Sequence, residues 1–287
     1  MKIILCLPHI YYFEQFHPDL YSNIPHSFLE WERWKRLILE EINNYNASIL
    51  CFQEVVHFND LDDLFQNSGF KGVYKARTGE ALDGCAVFWK DNLAPSTGKR
   101  RFVVGNIHVL FNPNRGDIKL GQVRLLLDKA YKLSQEWGDI PVIIAGDLNS
   151  VPQVCAIYKF LSSSKLDIQL HDRRKIWSVE ELRLASGEEG VTRLQHQLKL
   201  CSAYSGVPGN HRTRDDIGEP LATSYHSKFM GTVDYIWHSE DLIPVRVLET
   251  LPIDTLRRSR GLPSEKWGSD HLAVVCEVAF ANNGNVS

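Results

Sequence analysis

Acidic, amide and imidazole side chains stand at the ends of apolar segments in several separated parts of this 287-residue chain. Glu54 follows Ile49-Leu50-Cys51-Phe52-Gln53, so a carboxylate emerges where a buried strand surfaces; position alone favours an ordinary surface carboxylate. Asp147 and Asn149 lie in Gly146-Asp147-Leu148-Asn149-Ser150, directly after the apolar run Pro141–Ala145. Strand alternation aims both polar side chains to one side while Leu148 points away. The same residue types build turns. Two same-facing polar groups at the end of a buried strand are also what a metal or phosphate site requires. Asp234 sits inside the apolar segment Gly231–Trp237, where a carboxylate needs a partner or a large pKa shift. Asp270 and His271 stand side by side ahead of Leu272-Ala273-Val274, and Asp234 is available to orient the imidazole. His108 lies on the apolar stretch Asn106–Leu110, where a lone histidine is more often a core residue than a catalyst. The loop after it brings Asn112, Arg115 and Lys119, which suit either phosphate contact or a solvated connection. Carboxylates able to hold a divalent cation, beside an Asp–His pair for proton transfer, suit metal-dependent phosphodiester cleavage.

Positioning such groups requires strands that end together. Apolar segments at Ser48–Phe52, Gly84–Trp89, Phe102–Leu110, Pro141–Ala145, Thr232–Trp237 and His271–Val278 read as strands. Helical spacing joins Phe28, Trp31, Trp34, Leu37, Ile38 and Ile42, and again Val123, Leu126, Leu127, Ala130 and Leu133. The stretch from Leu161 to Thr223 reads as helices and loops laid over the core. Strands and helices alternate, which periodicity alone leaves open between a packed pair of sheets and a doubly wound sheet. No internal repeat is visible.

Hydrophobic residues make up 44% and charged residues 23%, enough apolar surface for a folded core. The net charge of −3 lacks the basic balance of many nucleic-acid binders, but carboxylates holding cations neutralise phosphate locally. The six cysteines show no metal-binding spacing and suggest a reducing compartment. Pro8, His9 and Glu14 interrupt the N-terminal apolar run, so a secretory leader is not expected. No stretch reaches the ~20 apolar residues of a membrane span.

Six motifs occur in a fixed order: Leu50–Val55, Asp83–Phe88, Asn106-Ile107-His108, Gly146–Ser150, Asp234-Tyr235-Ile236 and Ser269-Asp270-His271. The set resembles the endonuclease/exonuclease/phosphatase superfamily. The loop Asn112–Leu120 is similar to that of the carbon-catabolite-repressor-four and Angel branch, in a plant-type form, and the resemblance runs from about His17 to Phe280. It implies an α/β fold of deoxyribonuclease I type, a two-layered β-sandwich of mixed sheets flanked by helices, as one domain over residues 1–287. It implies Mg²⁺, with Glu54 and Asp270 near the ion, Asp147 handling the nucleophilic water and Asn149 holding the phosphate. Asp234 would orient His271, while His271 and His108 would contact the scissile phosphate or assist proton transfer.

Two departures stand out. Family members open with a strand that carries a metal-site asparagine, and Met1–Phe16 contains none, so the first strand is expected to be missing or replaced. The connector from Lys90 to Arg101 is too short for the additional internal strand of the family, so the chain reads as shortened. The implied activity is a 3′-to-5′ exoribonuclease on poly(A), acting in mRNA deadenylation. Single-stranded RNA would be held by aromatic stacking and by the cations Arg115 and Lys119. A phosphatase on nucleotides or on RNA 2′,3′-cyclic phosphate ends is the alternative, and an impaired RNA-binding subunit of a decay complex is a third. The expected residence is the cytoplasm, with the nucleus also open.

Overall fold

The computed structural model describes residues 2–5, 18–90, 100–152, 155–171 and 177–281. In chain order the elements begin with β1 (Lys2–Leu5), α1 (Trp31–Tyr45), β2 (Ile49–Phe52), α2 (Phe58–Gln66), β3 (Phe70–Ala76), β4 (Gly84–Lys90) and β5 (Val103–His108). Then come α3 (Gly116–Glu136), β6 (Val142–Asp147), α4 (Ala156–Ser163), β7 (Lys165–Asp167), α5 (Ile168–His171), α6 (Val179–Ser186), β8 (Arg193–Gln195) and β9 (Leu200–Ser202). The C-terminal third holds β10 (Ser224–His226), β11 (Phe229–Gly231), β12 (Asp234–Ser239), β13 (Leu242–Val247), α7 (Ile253–Ser259) and β14 (Val274–Phe280).

Two mixed sheets face each other. One runs β13-β14-β1-β2-β4-β3 and the other β5-β6-β12-β9. Every residue of β2 and β6 is buried, because both faces are covered. That double burial explains why these strands read as continuous apolar runs rather than as alternation. The alternation is still present in the destinations. Ile49, Cys51, Ile143 and Ala145 point between the sheets with Ile236, Val274 and Cys276. Leu50 and Phe52 point outward to α1 and α2, against Trp34, Ile38 and Phe65. Val142 and Ile144 point the other way, to Val123 and Leu127 of α3 and Phe160 of α4. The molecule is therefore helix, sheet, sheet, helix, the two-sheet solution of the two that the periodicity allowed.

The amphipathic patterns became α1 and α3, and all six apolar segments became strands. Strands β3 and β13 do not stand out in the sequence; both are edge strands in which about half of the residues, Val73, Ile243 and Val245 among them, are exposed. The stretch from Leu161 to Thr223 is corrected in one respect: Leu200–Ser202 is a strand of the second sheet, and β7 pairs with β8 in a short ribbon. Lys2–Leu5 occupies the slot between β2, to which it runs parallel, and β14, to which it runs antiparallel. The short connector, residues 91–99, lies outside the described residues. Among those described, β5 is paired on one side only, by β6. Cys51, Cys85, Cys155, Cys201 and Cys276 are free thiols. No helix among the described residues is long and apolar enough to cross a membrane.

Candidate active site

Strand register sets three of the functional side chains in a row. His108 is the parallel partner of Asp147 across β5 and β6, and Asp147 is the antiparallel partner of Asp234 across β6 and β12. The strands come close here because residue 146 is glycine. A Cβ built at Gly146 would lie 1.9 Å from the Ile107 carbonyl oxygen, and its φ of +155° disfavours other residues. Asp270 and His271 approach from the segment before β14, where His271 bridges to Ser224. Glu54 and Asn149 each sit just past a strand end with φ of +53° and +46°. Non-glycine residues hold this left-handed conformation at a cost of about 1–3 kcal/mol, and such strain concentrates at functional sites. It is sustained by pairing on either side. Val55 and Gly84 exchange backbone hydrogen bonds of 2.8 and 3.0 Å, while the Asn149 N–H donates to Asp147 Oδ1 at 2.6 Å.

The row opens into a cavity of about 400 Å³. Glu54, His108, Asp147, Asn149, Asp270 and His271 line its polar side; Leu20, Tyr21, Phe111, Pro113, Phe229 and Val233 supply an apolar wall. Asp234 lies behind the cavity, fully buried, where its Oδ2 accepts from His271 Nδ1 at 2.8 Å. Seven sequence-derived residues, Glu54, His108, Asp147, Asn149, Asp234, Asp270 and His271, thus meet in one place.

The electrostatics are those of an anionic cluster. Burial, then Asp270 and Asp147, push Glu54 well above the usual carboxylate range. Burial and the neighbouring Asp234 push Asp147 up to about 7. Burial alone would lower His271, but Asp234, Asp270 and Asp147 outweigh it and push the imidazole up to about 10. His108 moves the other way: burial, Arg77 and His271 hold it well below its ordinary value, so this ring is neutral. Charges of one sign are in excess, and Asp234 Oδ1 is buried without a hydrogen-bond partner. The mutually crowded carboxylates of Glu54, Asp147 and Asp270 on the cavity's polar side fit a hard divalent cation such as Mg²⁺. Atoms of Asp147, Asp234 and His271 also lie within 4.8 Å of one another. His271, held as an imidazolium against Asp234, has no lone pair for an ion, which leaves the carboxylates as the ligand set.

The three residues expected to bind substrate from the loop after β5 are placed otherwise. Lys119 is buried under the site, with Nζ donating to the Asn149 carbonyl at 2.8 Å. Arg115 forks onto Asp117 at 3.1 and 2.8 Å, and Asn112 Oδ1 accepts from the Asn114 N–H at 2.9 Å. None of the three lines the cavity; from this loop only Phe111 and Pro113 do. The apparent cationic loop is consumed by local pairing because α3 begins at Gly116 and turns Lys119 inward.

Other participants were not singled out in the sequence. The Tyr21 hydroxyl donates to Asp270 Oδ2 at 2.6 Å. Asn106 Nδ2 donates to the carbonyls of Phe52 and Ala86 at 2.8 and 3.0 Å, and its Oδ1 accepts from Gln53 at 2.6 Å, so it ties β5 to the strand end that carries Glu54. Arg77 pairs with Asp83 and reaches His108. Asp83 and Asn106 lie inside two of the six motifs, whereas Tyr21, Arg77 and Phe229 carry no local signal.

A model of the endonuclease/exonuclease/phosphatase family matches residues 15–271. The chain belongs to that family. Among its relatives, carbon catabolite repressor protein 4 homolog 5 of Arabidopsis thaliana is 55% identical over 93% of this chain and 74% of its own length. The CCR4-Not complex 3′-5′-exoribonuclease subunit Ccr4 of Phaeosphaeria nodorum is 26% identical over 90% of this chain and 56% of its own length. Among solved structures, ANGEL2, a 2′,3′-cyclic phosphatase in complex with adenosine-2′,3′-vanadate, superposes with a TM-score of 0.79 at 27% identity, covering 96% and 94% of the two chains. The expected branch and the two-layered sandwich of deoxyribonuclease I type are therefore those of this chain, and its family chemistry is phosphoester hydrolysis.

Proposed function

We propose that this protein is a Mg²⁺-dependent hydrolase of phosphodiester bonds at the 3′ end of single-stranded RNA, shortening A-rich tails. The observation that carries the reading is the cavity itself. Its polar side holds Glu54, Asp147, Asn149, Asp270, His108 and His271 beside the apolar wall of Phe111, Pro113 and Phe229. A space of about 400 Å³ holds a terminal nucleotide with its base against the aromatic wall and its phosphate against the polar residues. The likeness to the Phaeosphaeria nodorum Ccr4, named as a 3′-5′-exoribonuclease subunit, supports the same reading.

Each residue then has a role. Glu54 and Asp270, with Asp147 close by, would hold the ion, which when bound polarises the phosphoryl oxygen and offsets charge on the leaving oxygen. Asp147, a carboxylate beside the ion, would take a proton from the attacking water. His271, kept cationic by Asp234, stabilises the developing phosphoryl charge or gives a proton to the leaving oxygen. The neutral His108 and the Asn149 amide, 3.0 Å apart, offer N–H groups to the phosphoryl oxygens. Tyr21 holds Asp270, and Lys119 holds the strained Asn149 backbone. Assembly with subunits of an mRNA-decay complex, and residence in the cytoplasm or nucleus, belong to the same proposal.

A second reading, removal of 2′,3′-cyclic phosphate from RNA ends, is favoured by the likeness to ANGEL2 over nearly the whole chain. Purified protein with Mg²⁺ and two 5′-labelled A-rich RNAs, one ending in a 3′-hydroxyl and one in a cyclic phosphate, tests both, with Asp147→Ala as the control. Progressive shortening that Asp147→Ala abolishes is the expected result. Loss of the terminal phosphate without shortening supports the second reading, and RNA binding with neither reaction would make the chain a non-catalytic binding subunit.

A further inference from the structure

We propose that Arg77 is a positioning residue that sets the tautomer of His108, an inference that rests on His108 facing the scissile phosphate. Arg77 directly follows β3, and its guanidinium is anchored rather than free. Nε lies 2.9 and 3.1 Å from the two Asp83 carboxylate oxygens, and Nη2 lies 2.5 Å from Oδ2. The Arg77 N–H also donates to the Asp83 carbonyl at 2.9 Å, closing the loop between β3 and β4. Asp83 is buried, and Gly84 beside it pairs with Val55 next to Glu54, so the brace is fixed to the strand end that carries Glu54. From this anchored fork Nη2 reaches His108 Nδ1 at 2.9 Å.

A guanidinium has hydrogens to donate and no lone pair to offer. His108 Nδ1 must therefore accept, and a neutral ring then carries its one proton on Nε2. Nε2 faces Asn149 Nδ2 at 3.0 Å, and that amide already donates to the Val109 carbonyl at 2.8 Å. Two N–H groups thus converge, and the Asp147 Oδ2 carboxylate oxygen, 3.6 Å from Nε2, lies just beyond hydrogen-bond length. An anionic oxygen that accepts from both resolves the mismatch, so the tautomer chosen by Arg77 creates a two-donor seat for a phosphoryl oxygen. The opposite tautomer would suit the unliganded protein without Arg77. Nδ1–H would then face Glu54 Oε1, 3.5 Å away, and Nε2 would accept from Asn149. That arrangement offers the substrate no imidazole N–H. The charged donor decides between the two, because hydrogen bonds to ionised groups are roughly twice as strong as neutral ones.

The test is ¹⁵N NMR of the imidazole nitrogens in the metal-free full-length protein at neutral pH, with His108 assigned by loss of its signals in His108→Gln. Wild type is expected to show a protonated Nε2 and a bare Nδ1. Arg77→Met is expected to move the proton to Nδ1, while Arg77→Lys, still a pure donor, keeps it on Nε2. A proton on Nδ1 in wild type, or no change in Arg77→Met, overturns the proposal; the wild-type spectrum decides even if a variant does not fold. In RNA hydrolysis with Mg²⁺, Arg77→Met should lower kcat about 10²-fold with KM within about twofold, and Arg77→Lys should recover at least about tenfold of that loss. A rise in KM with kcat unchanged would instead make Arg77 a direct substrate contact. A correct tautomer in a protein that hydrolyses no RNA would refute the functional reading and leave the positioning role standing.

Discussion

Replacing Asp234 by asparagine removes the charge behind His271 while keeping the shape of the side chain. In the wild type the imidazole is lifted from 6.5 to about 10 against the downward pull of burial. At ~1.4 kcal/mol per unit this is roughly 5 kcal/mol of preference for the imidazolium, and Asp234 is the largest of the three carboxylates that supply it. Asparagine keeps a hydrogen-bonding oxygen but no charge, so burial acts against the proton with only Asp270 and Asp147 opposing. The sign follows from linkage. A histidine raised in the folded state contributes stability that is fully present below 6.5 and is lost as pH rises through about 10. The variant should therefore lose its imidazolium at a lower pH, by at least about one unit, or ~1.4 kcal/mol. An NMR titration of His271 in metal-free protein measures this directly. Steady-state hydrolysis should fall by about 10²–10⁴ in kcat, the contribution of a positioned proton donor. A variant whose His271 titrates where the wild type does, or whose kcat is unchanged, would refute the claim that Asp234 holds the proton on His271.

Asp147→Asn tests the crowding of carboxylates. Asp147 is raised from 3.8 to about 7, so its ionisation costs the fold nothing below 3.8 and progressively more as pH rises to 7, up to about 4 kcal/mol. Metal-free Asp147→Asn should be more stable than wild type at pH ~8 and equal to it below pH ~4 in urea melts; a difference independent of pH would contradict the assignment. Lys119→Met leaves the Asn149 carbonyl without its 2.8 Å donor. Because hydrogen bonds to charged groups contribute about 1.5–3 kcal/mol, we expect a loss near 2 kcal/mol together with a fall in kcat, and an unchanged melting curve would count against it. Gly121→Ala sets two effects against each other. The new Cβ would lie 2.3 Å from the Leu184 carbonyl where α3 crosses α6, a backbone contact that cannot swing aside. Overpacking costs about 1–3 kcal/mol against about 1 kcal/mol of gained helix propensity, so chemical denaturation should show a net loss. A gain in stability would show that the crossing yields.

The local patterns carried much of this fold. Apolar runs such as Ser48–Phe52 and Pro141–Ala145 announced the buried strands β2 and β6 because both faces of each are covered. Spacing at Trp34, Ile38 and Ile42 announced α1 because one face of a helix meets the core. Edge strands β3 and β13 gave no such signal, since half of their residues meet water. The seven polar residues were legible for a related reason: each stands at the end of, or within, an apolar segment, where a carboxylate or imidazole needs a purpose.

What those residues do to one another was not legible. Strand register, which depends on pairing between segments far apart in the chain, set His108, Asp147 and Asp234 in one row. The lysine and arginine after β5 looked like phosphate ligands in one dimension. Helix α3 turned Lys119 inward to support Asn149, and Asp117 engaged Arg115. Arg77 had no motif to mark it and acquired its place only when the loop between β3 and β4 folded against β5. Residue type and the burial of neighbours are properties of the sequence and determined which groups could do chemistry. Distance, protonation and tautomer depend on which segments meet in space, and only the tertiary structure decided them.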